Sequence, residues 1–594
     1  MPERFRPPDF RFLAICCVLL AATVWFSARY FHRAFPETSI DFRVTREQAR
    51  TLAESFLTAQ GLQVKDYRQA SRFSYDDQAK TFLEREVGLD RANRLMGRRV
   101  RLWRWSWRWF RPLQKEEFRV DVTPTGEPAG FLHEIPEAAP GPSLPADQAR
   151  ALAERFLRDT MHRDPAGLDF VEGSSVARPA RTDHTFTWKE RDFDIHDATY
   201  RLEVTVQGGL VGGYREYLKV PENWQRAYEG LRSRNLTAQT IDTGLLMLLA
   251  VALLVTILLR VRGHDVRWRR AAVVGGIGAL LLFLSNWNAQ PLAEFNYPTT
   301  DSYGSFVAQE FLRNLMSALA AAGLLFVLTA GAEPLYRQSY GAQLSLGNLF
   351  SPRGLRTKKF FLGAILGLTL AGIFVAYQTG FYMVAYHFGA WSPADVPYDD
   401  LLNTRLPWLF VLFGGFLPAV SEEFLFRMFA IPFLSKLLRS VGIAVVLAGF
   451  IWGFGHAGYP QQPFWIRGVE VGTGGVALGL IMLRWGILPT LVWHYSVDAM
   501  YTALLLLRSH NPYFVLSGAA SAGIMVLPVL VALIAYLRHG GFAPATGLTN
   551  ADEGSAEVTA AASAPPDEIM NQAPDQTHAP PSSVWSARRR LAAG

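Results

Sequence analysis

Long apolar blocks nearly free of charge interrupt this chain, and no other feature of the sequence narrows its fold so much. Blocks of about 17 or more residues are long enough to cross a roughly 30 Å hydrocarbon layer as helix. They run over Phe12 to Ala28, Gly244 to Leu259, Ala271 to Trp287, Leu312 to Ala330, Phe360 to Tyr386, Leu406 to Leu434, Val441 to His456, Val469 to Leu483, Ile487 to Leu507 and Phe514 to Leu537. The expected fold is therefore a polytopic α-helical membrane protein of about ten spans. The blocks exclude an all-soluble enzyme and a wholly disordered chain. Charged residues are 19% of the total, against roughly 25% in an average soluble domain.

Charge then orients the spans. Arg4, Arg6 and Arg11 precede the first block, while Arg260, Arg262, Arg267, Arg269 and Arg270 follow the second. Basic residues in short loops stay on the cytoplasmic side. Residues 1–35 thus read as an uncleaved anchor with a cytoplasmic amino terminus, and residues 36–240 as an extracytoplasmic segment. Lys358, Lys359, Lys436, Arg439, Arg484 and Arg538 fit the same alternation. The bundle then occupies 241–540. The Ala-, Pro-, Ser- and Thr-rich stretch 541–594 reads as a disordered cytoplasmic tail. The formal charge of +7 sits largely in these loops, so it argues for topology and against nucleic-acid binding. The cysteines, Cys16 and Cys17, lie in the first block and provide neither a disulfide framework nor a thiol metal site.

The extracytoplasmic segment repeats itself. TREQARTLAESFL (45–57) and PADQARALAERFL (145–157) match at eight of thirteen positions, one hundred residues apart. Residues 118–137 and 200–222 each read as a strand, a Gly-containing turn and a second strand. Two α+β copies are expected, at about 40–138 and 140–223, each an amphipathic helix followed by antiparallel strands. In plan they are similar to PepSY-type modules. The Trp-rich run 98–111 is compatible with a membrane-surface segment or with an alternating strand.

Ionisable groups inside a span are costly and so mark candidate chemistry. They concentrate in the later spans: Glu422, Glu423 and Arg427, then His456, Glu470, and His494 with Asp498. Glu423 and Arg427 are i and i+4, the spacing of a buried pair. Glu422 is rotated about 100° from its neighbour and stays free to act as a general base. Asp498 is i+4 from His494, placed to orient that ring. Glu470 lacks an i+4 partner and reads as an interfacial or supporting group. An acid and two imidazoles from three spans, converging on one water, suffice to hydrolyse an amide, with the histidines acting directly or through a metal. Glu422 lies roughly 20 Å of helix from Lys436, and His494 roughly 15 Å from Arg484. A shared site then calls for tilt or a water-filled cavity open to the cytoplasm.

The order Glu-Glu-x-x-x-Arg, aromatic-x-x-x-His and His-x-x-x-Asn/Asp resembles the CPBP family of intramembrane proteases, which includes type II CAAX prenyl endopeptidases and bacteriocin-processing or immunity relatives. Glu422, Glu423 and Arg427 carry the first motif, Trp452 and His456 the second, and His494 and Asp498 the third. The resemblance covers about residues 360–540. It implies Glu422 as water activator, His456 and His494 as its partners, Glu423 and Arg427 as support, and Asp498 near the oxyanion. An ionised Asp cannot donate a hydrogen bond, so Asp498 either carries a proton or orients its neighbour. The family implies either zinc on Glu422, His456 and His494 or a metal-free glutamate mechanism. It further implies a membrane-associated or CAAX-type polypeptide substrate in the lipid bilayer, and a multi-pass protein of a bacterial cytoplasmic membrane with both termini inside. The competing reading is a non-catalytic scaffold, sensor or immunity protein whose outer repeats bind a partner. A proton-relay transporter is a third class, but no inverted repeat is visible among the spans.

Overall fold

The computed structural model describes residues 2–553. Helix α1 (Pro7–Ala34) is followed by a domain of α2 (Arg46–Ala59), β1 (Arg68–Ser74), α3 (Asp77–Val87), α4 (Leu89–Met96), β2 (Arg104–Phe110), β3 (Glu117–Val122) and β4 (Pro128–Glu134). It continues with α5 (Ala146–Asp159), β5 (Leu168–Arg178), β6 (Arg181–Glu190), β7 (Thr199–Gln207) and β8 (Leu210–Lys219). The strands form one 8-stranded sheet in the order β1-β2-β3-β4-β8-β7-β6-β5. Every pairing is antiparallel. The second copy is a helix followed by a four-stranded meander, while the first has α3 and α4 inserted between β1 and β2. The meanders join at their last strands, where Phe131 faces Tyr214.

The repeated motif explains the packing. Ala49, Ala53 and Leu57 of α2, and Ala149, Ala153 and Leu157 of α5, are all 0% exposed. Spacing i, i+4, i+8 puts them on one stripe, and the alanines let each helix sit close to the sheet. The Trp-rich run settles as strand β2, with Trp105, Trp107 and Trp109 buried in the domain core. Its membrane-surface alternative does not hold. Arg108 in the same strand pairs with Glu117 and donates to the carbonyls of Phe295 and Tyr297.

The remainder is helical: α6 (Glu222–Arg262), α7 (Trp268–Asn288), the short α8 (Gln290–Ala293), α9 (Tyr303–Ser339), α10 (Lys358–His387) and α11 (Pro407–Glu422). A π-helical segment, Glu423–Ala430, leads into α12 (Ile431–Leu438), α13 (Val441–Phe454), α14 (Ile466–Trp485), α15 (Ile487–Arg508), α16 (Pro512–Ala522) and α17 (Val526–His539). All ten apolar blocks are helical. Among the described residues seven helices are long and apolar enough to cross a membrane, or up to eight if α16 and α17, bent by 65°, form one span. This is fewer than the ten expected. Helix α13 has 14 residues, or roughly 21 Å against a layer of about 30 Å. Helix α15 is diluted by His494, Asp498 and Arg508.

The described ends of the chain meet. Glu3 bridges Phe542, Thr357 bridges Ala543, and Leu344 bridges Thr549. The segment 541–553 therefore departs from the expected disordered tail, because Phe542 and Leu548 are buried and Glu553 pairs with Arg270. The rest of that expected tail, 554–594, lies outside the described residues.

Two carboxylates latch the sheet domain to the bundle. Glu84 of α3 accepts the backbone N–H of Ala394 at 3.0 Å, and Asp400 accepts that of Phe73 at 2.9 Å. Burial pushes the Asp400 carboxyl up to about 6, Asp399 beside it acting in the same direction while the Phe73 N–H, Arg46 and Arg72 oppose. Burial also raises Glu84, against Lys80. A carboxyl that holds its proton more tightly when docked favours docking at low pH. The latch is therefore expected to weaken as pH rises from about 4, the ordinary Asp value, to about 6, and to change little above that. Hydrogen exchange at the Phe73 amide, corrected for its intrinsic pH dependence, reads this. Asp400→Asn removes its share of the effect; exchange that is flat across the window in the parent contradicts it.

Candidate active site

The π-helical turn carries the acid pair. It lies between Pro418 and Pro432, neither of which can donate a backbone hydrogen bond. Within the wider turn Glu423 still meets Arg427, at 3.1 Å. Glu423 and Arg427 are 0% and 1% exposed. Glu423 also accepts the Nδ1 hydrogen of His494 at 2.8 Å, so it anchors the third motif as well as the first. Asp498, expected from its spacing to orient the His494 ring or share its cavity, has Oδ2 3.4 Å from Nε2, on the ring's other side, and lines the same cavity.

Glu422 points elsewhere, as expected. Its side chain is 28% exposed, and Oε2 lies 3.6 Å from His494 Nε2. Trp452 Nε1 donates to that same oxygen at 2.5 Å. The Trp452 ring also has the Arg427 guanidinium 4.2 Å from its centroid and the His456 and His494 rings at 5.5 and 5.9 Å. The second motif's aromatic position thus touches the other two motifs. His456 Nδ1 donates to the Trp452 carbonyl at 2.9 Å, which leaves its Nε2 unengaged by that bond.

Glu422, Trp452, His456, His494 and Asp498 line one cavity of about 780 Å³. Its opposite wall is built by Tyr75, Asp77 and Lys80 of the sheet domain and by residues 392–396. The cavity therefore reaches from the bundle to the sheet domain. Asn235 of α6 ties the loop after α13 down, donating to the carbonyls of Ala457, Tyr459 and Gln461 at 2.9 to 3.1 Å.

Glu470 is more than interfacial. It is 0% exposed, ion-paired with Arg467 at 2.5 Å and bonded to Gln378 at 3.0 Å. Its partner stands at i−3, a helical spacing as legible in a sequence as i+4.

The fit of a metal is a matter of donor grouping. Among the described residues no three His, Cys, Asp or Glu side chains group so as to hold a metal ion. In this arrangement Glu422 Oε2 accepts an indole N–H and His494 Nδ1 is held by Glu423.

Over 77 residues, 13% of its length, the chain is 26% identical to the sporulation-killing factor biosynthesis protein SkfC of Bacillus subtilis (strain 168), and the match spans 16% of that protein. No solved structure matches the chain. Residues 404–500 match the family model described as type II CAAX prenyl endopeptidase Rce1-like, and all seven motif residues fall inside that stretch. The part of this multi-pass membrane protein that is similar to that family is thus residues 404–500.

Proposed function

We propose that the chain is an intramembrane endopeptidase that hydrolyses a peptide bond of a membrane-associated polypeptide. The observation that carries this reading is the convergence of Glu422, His456, His494 and Asp498 from three separate helical segments on one cavity inside the bundle. Glu422 is the general base. Its carboxylate, part exposed to the cavity, takes a proton from water as the hydroxyl adds to the scissile carbonyl carbon. His494 has Glu422 and Asp498 near Nε2 and Glu423 on Nδ1. An Nε2–H then donates to the oxyanion, with His456 Nε2 as the second group facing the cavity. Collapse of the tetrahedral intermediate breaks the C–N bond, and the proton held by Glu422 passes to the leaving amine. Asp498, 3.4 Å from His494 Nε2, flanks the oxyanion position beside that ring.

No step passes through a metal. Cleavage by the purified full chain is expected to keep its rate, within about twofold, after exhaustive chelation and dialysis, with less than one zinc per chain by elemental analysis. Loss of activity on chelation and recovery with stoichiometric zinc would overturn the glutamate mechanism and restore the metal one. In H₂¹⁸O, the label is expected in the new carboxyl terminus.

The sheet domain supplies the outer wall, so the substrate's outer portion touches it. A PepSY-like role in admitting or refusing substrate follows from that placement.

A further inference from the structure

We propose that Asn235 and Gln239 of α6 are positioning residues for His456, acting through the loop that carries the imidazole. The inference rests on the protease reading and deepens it with two residues that lie outside 404–500. Residues 455–461 follow the end of α13, so their carbonyls lack the partners that a continuing helix would give them. Five of those seven carbonyls accept instead from side chains of α6. Gln239 donates to Gly455 at 3.2 Å, Arg232 to Gly458 and Tyr459 at 2.8 and 2.9 Å, and Asn235 to Ala457, Tyr459 and Gln461 at 2.9, 3.0 and 3.1 Å. Spacings of three and four put all three donors on one face of the helix.

Asn235 is the centre of this clamp. It is 0% exposed, and its Oδ1 accepts Gln462 Nε2 at 2.5 Å, so both ends of the carboxamide are matched to the loop. A carboxylate of the same size would set acceptors against three carbonyls. The loop has little to hold itself with. Gly455 and Gly458 bracket His456 and Ala457, and glycine leaves a backbone free to move. The approach of α6 is so close that a β-carbon at Gly458 would lie 2.2 Å from Gln239 Oε1. The Nδ1 bond to the Trp452 carbonyl sets the rotation of the His456 ring. The ring's place follows from its backbone and from Tyr459, stacked on it at 6.1 Å and 26°, and the Tyr459 carbonyl is one that α6 holds twice. Helix α6 is itself anchored in its first turn, where Trp224 donates to Glu86 of α3 at 2.7 Å and meets the Phe82 ring edge-on at 5.1 Å. A helix fixed to the sheet domain thus sets where a catalytic imidazole stands.

A cycle of paired substitutions separates positioning from a role in folding alone. The full chain, reconstituted in membranes, is assayed on a labelled apolar peptide. Asn235→Ala is expected to lower kcat by about 10- to 100-fold, the scale of displacing a catalytic group by roughly an ångström, with KM within about threefold of the parent. Gln239→Leu, which removes one bond instead of four, gives a smaller loss of the same kind and decides the matter if Asn235→Ala does not accumulate. In a chain already carrying His456→Ala, either substitution should cost less than about threefold, because residues that act through His456 have nothing left to place. A folding role alone would give the same fold-loss in both backgrounds. Amide exchange across 455–462, read by mass spectrometry on the full chain, asks the question without cleavage. Both variants should exchange faster there, with 441–451 unchanged. Equal losses in the two backgrounds, kcat within about twofold of the parent in both variants, or unchanged exchange overturns the proposal. If the parent never cleaves, the protease reading falls and exchange alone judges the hold on the loop. Glu422-dependent cleavage with equal losses in the two backgrounds keeps the protease and removes the positioning.

Discussion

Glu422→Gln is expected to lower the cleavage rate of the purified, membrane-reconstituted chain by roughly 10²- to 10⁴-fold, the usual contribution of a positioned general base. The substitution conserves shape. The Gln carbonyl can still accept the Trp452 N–H that Glu422 now holds at 2.5 Å, so the indole and the rings around it keep their places. What is lost is the proton acceptor. Glu422 is part exposed to the cavity and carries no ion pair to Arg427, so stability should stay within about 1 kcal/mol of the parent. A thermal melt alongside the rate assay separates the two effects. A variant that melts like the parent and cleaves at more than about a tenth of its rate removes Glu422 from the chemistry.

The neighbouring acid has the opposite consequence. Glu423→Ala leaves Arg427, 1% exposed, as an uncompensated buried charge and strips His494 Nδ1 of its acceptor. Breaking a buried pair by removing one partner costs about 3–5 kcal/mol, a large share of a typical total stability of roughly 5–15 kcal/mol. The expected result is a sharply lower melting temperature and little accumulation of folded chain in the membrane. Replacing both members, Glu423→Leu with Arg427→Met, should recover most of that stability, because two apolar side chains leave no orphaned charge. It should not recover activity, since His494 remains unheld. If Glu423→Ala melts within about 1 kcal/mol of the parent, the pair is not what fixes the turn. Two adjacent glutamates thus separate by phenotype: one lost in rate with the fold intact, the other lost in the fold itself.

Much of this arrangement was legible in the sequence because it is periodic. The alternation of apolar blocks and basic loops gave the helices. The alanines of the QAR-x-LAE-x-FL motif, repeated at a hundred-residue offset, marked the faces that α2 and α5 bury. The separation of Glu422 from Glu423 followed from angle per residue alone. What escaped was set by distant packing. The hold of Glu423 on His494 joins residues 71 apart, and the Trp452 bond to Glu422 joins residues 30 apart, so no local pattern reveals either. The π-helical turn changes helical register without a sequence period of its own. The strap at 541–553 was read as tail because its composition is that of a tail; two buried apolar residues and Glu553 suffice to fix it.

The central claim is that Glu422 makes this chain a protease of membrane-associated polypeptides. The most direct measurement compares new protein amino and carboxyl termini in host membranes carrying the parent chain or Glu422→Gln at matched abundance. The account predicts a set of termini present with the parent and absent with the variant, each pair flanking one bond. Identical sets, with the parent's biological effect retained by the variant, would contradict it and give the lead to a scaffold or sensor whose sheet domain binds a partner.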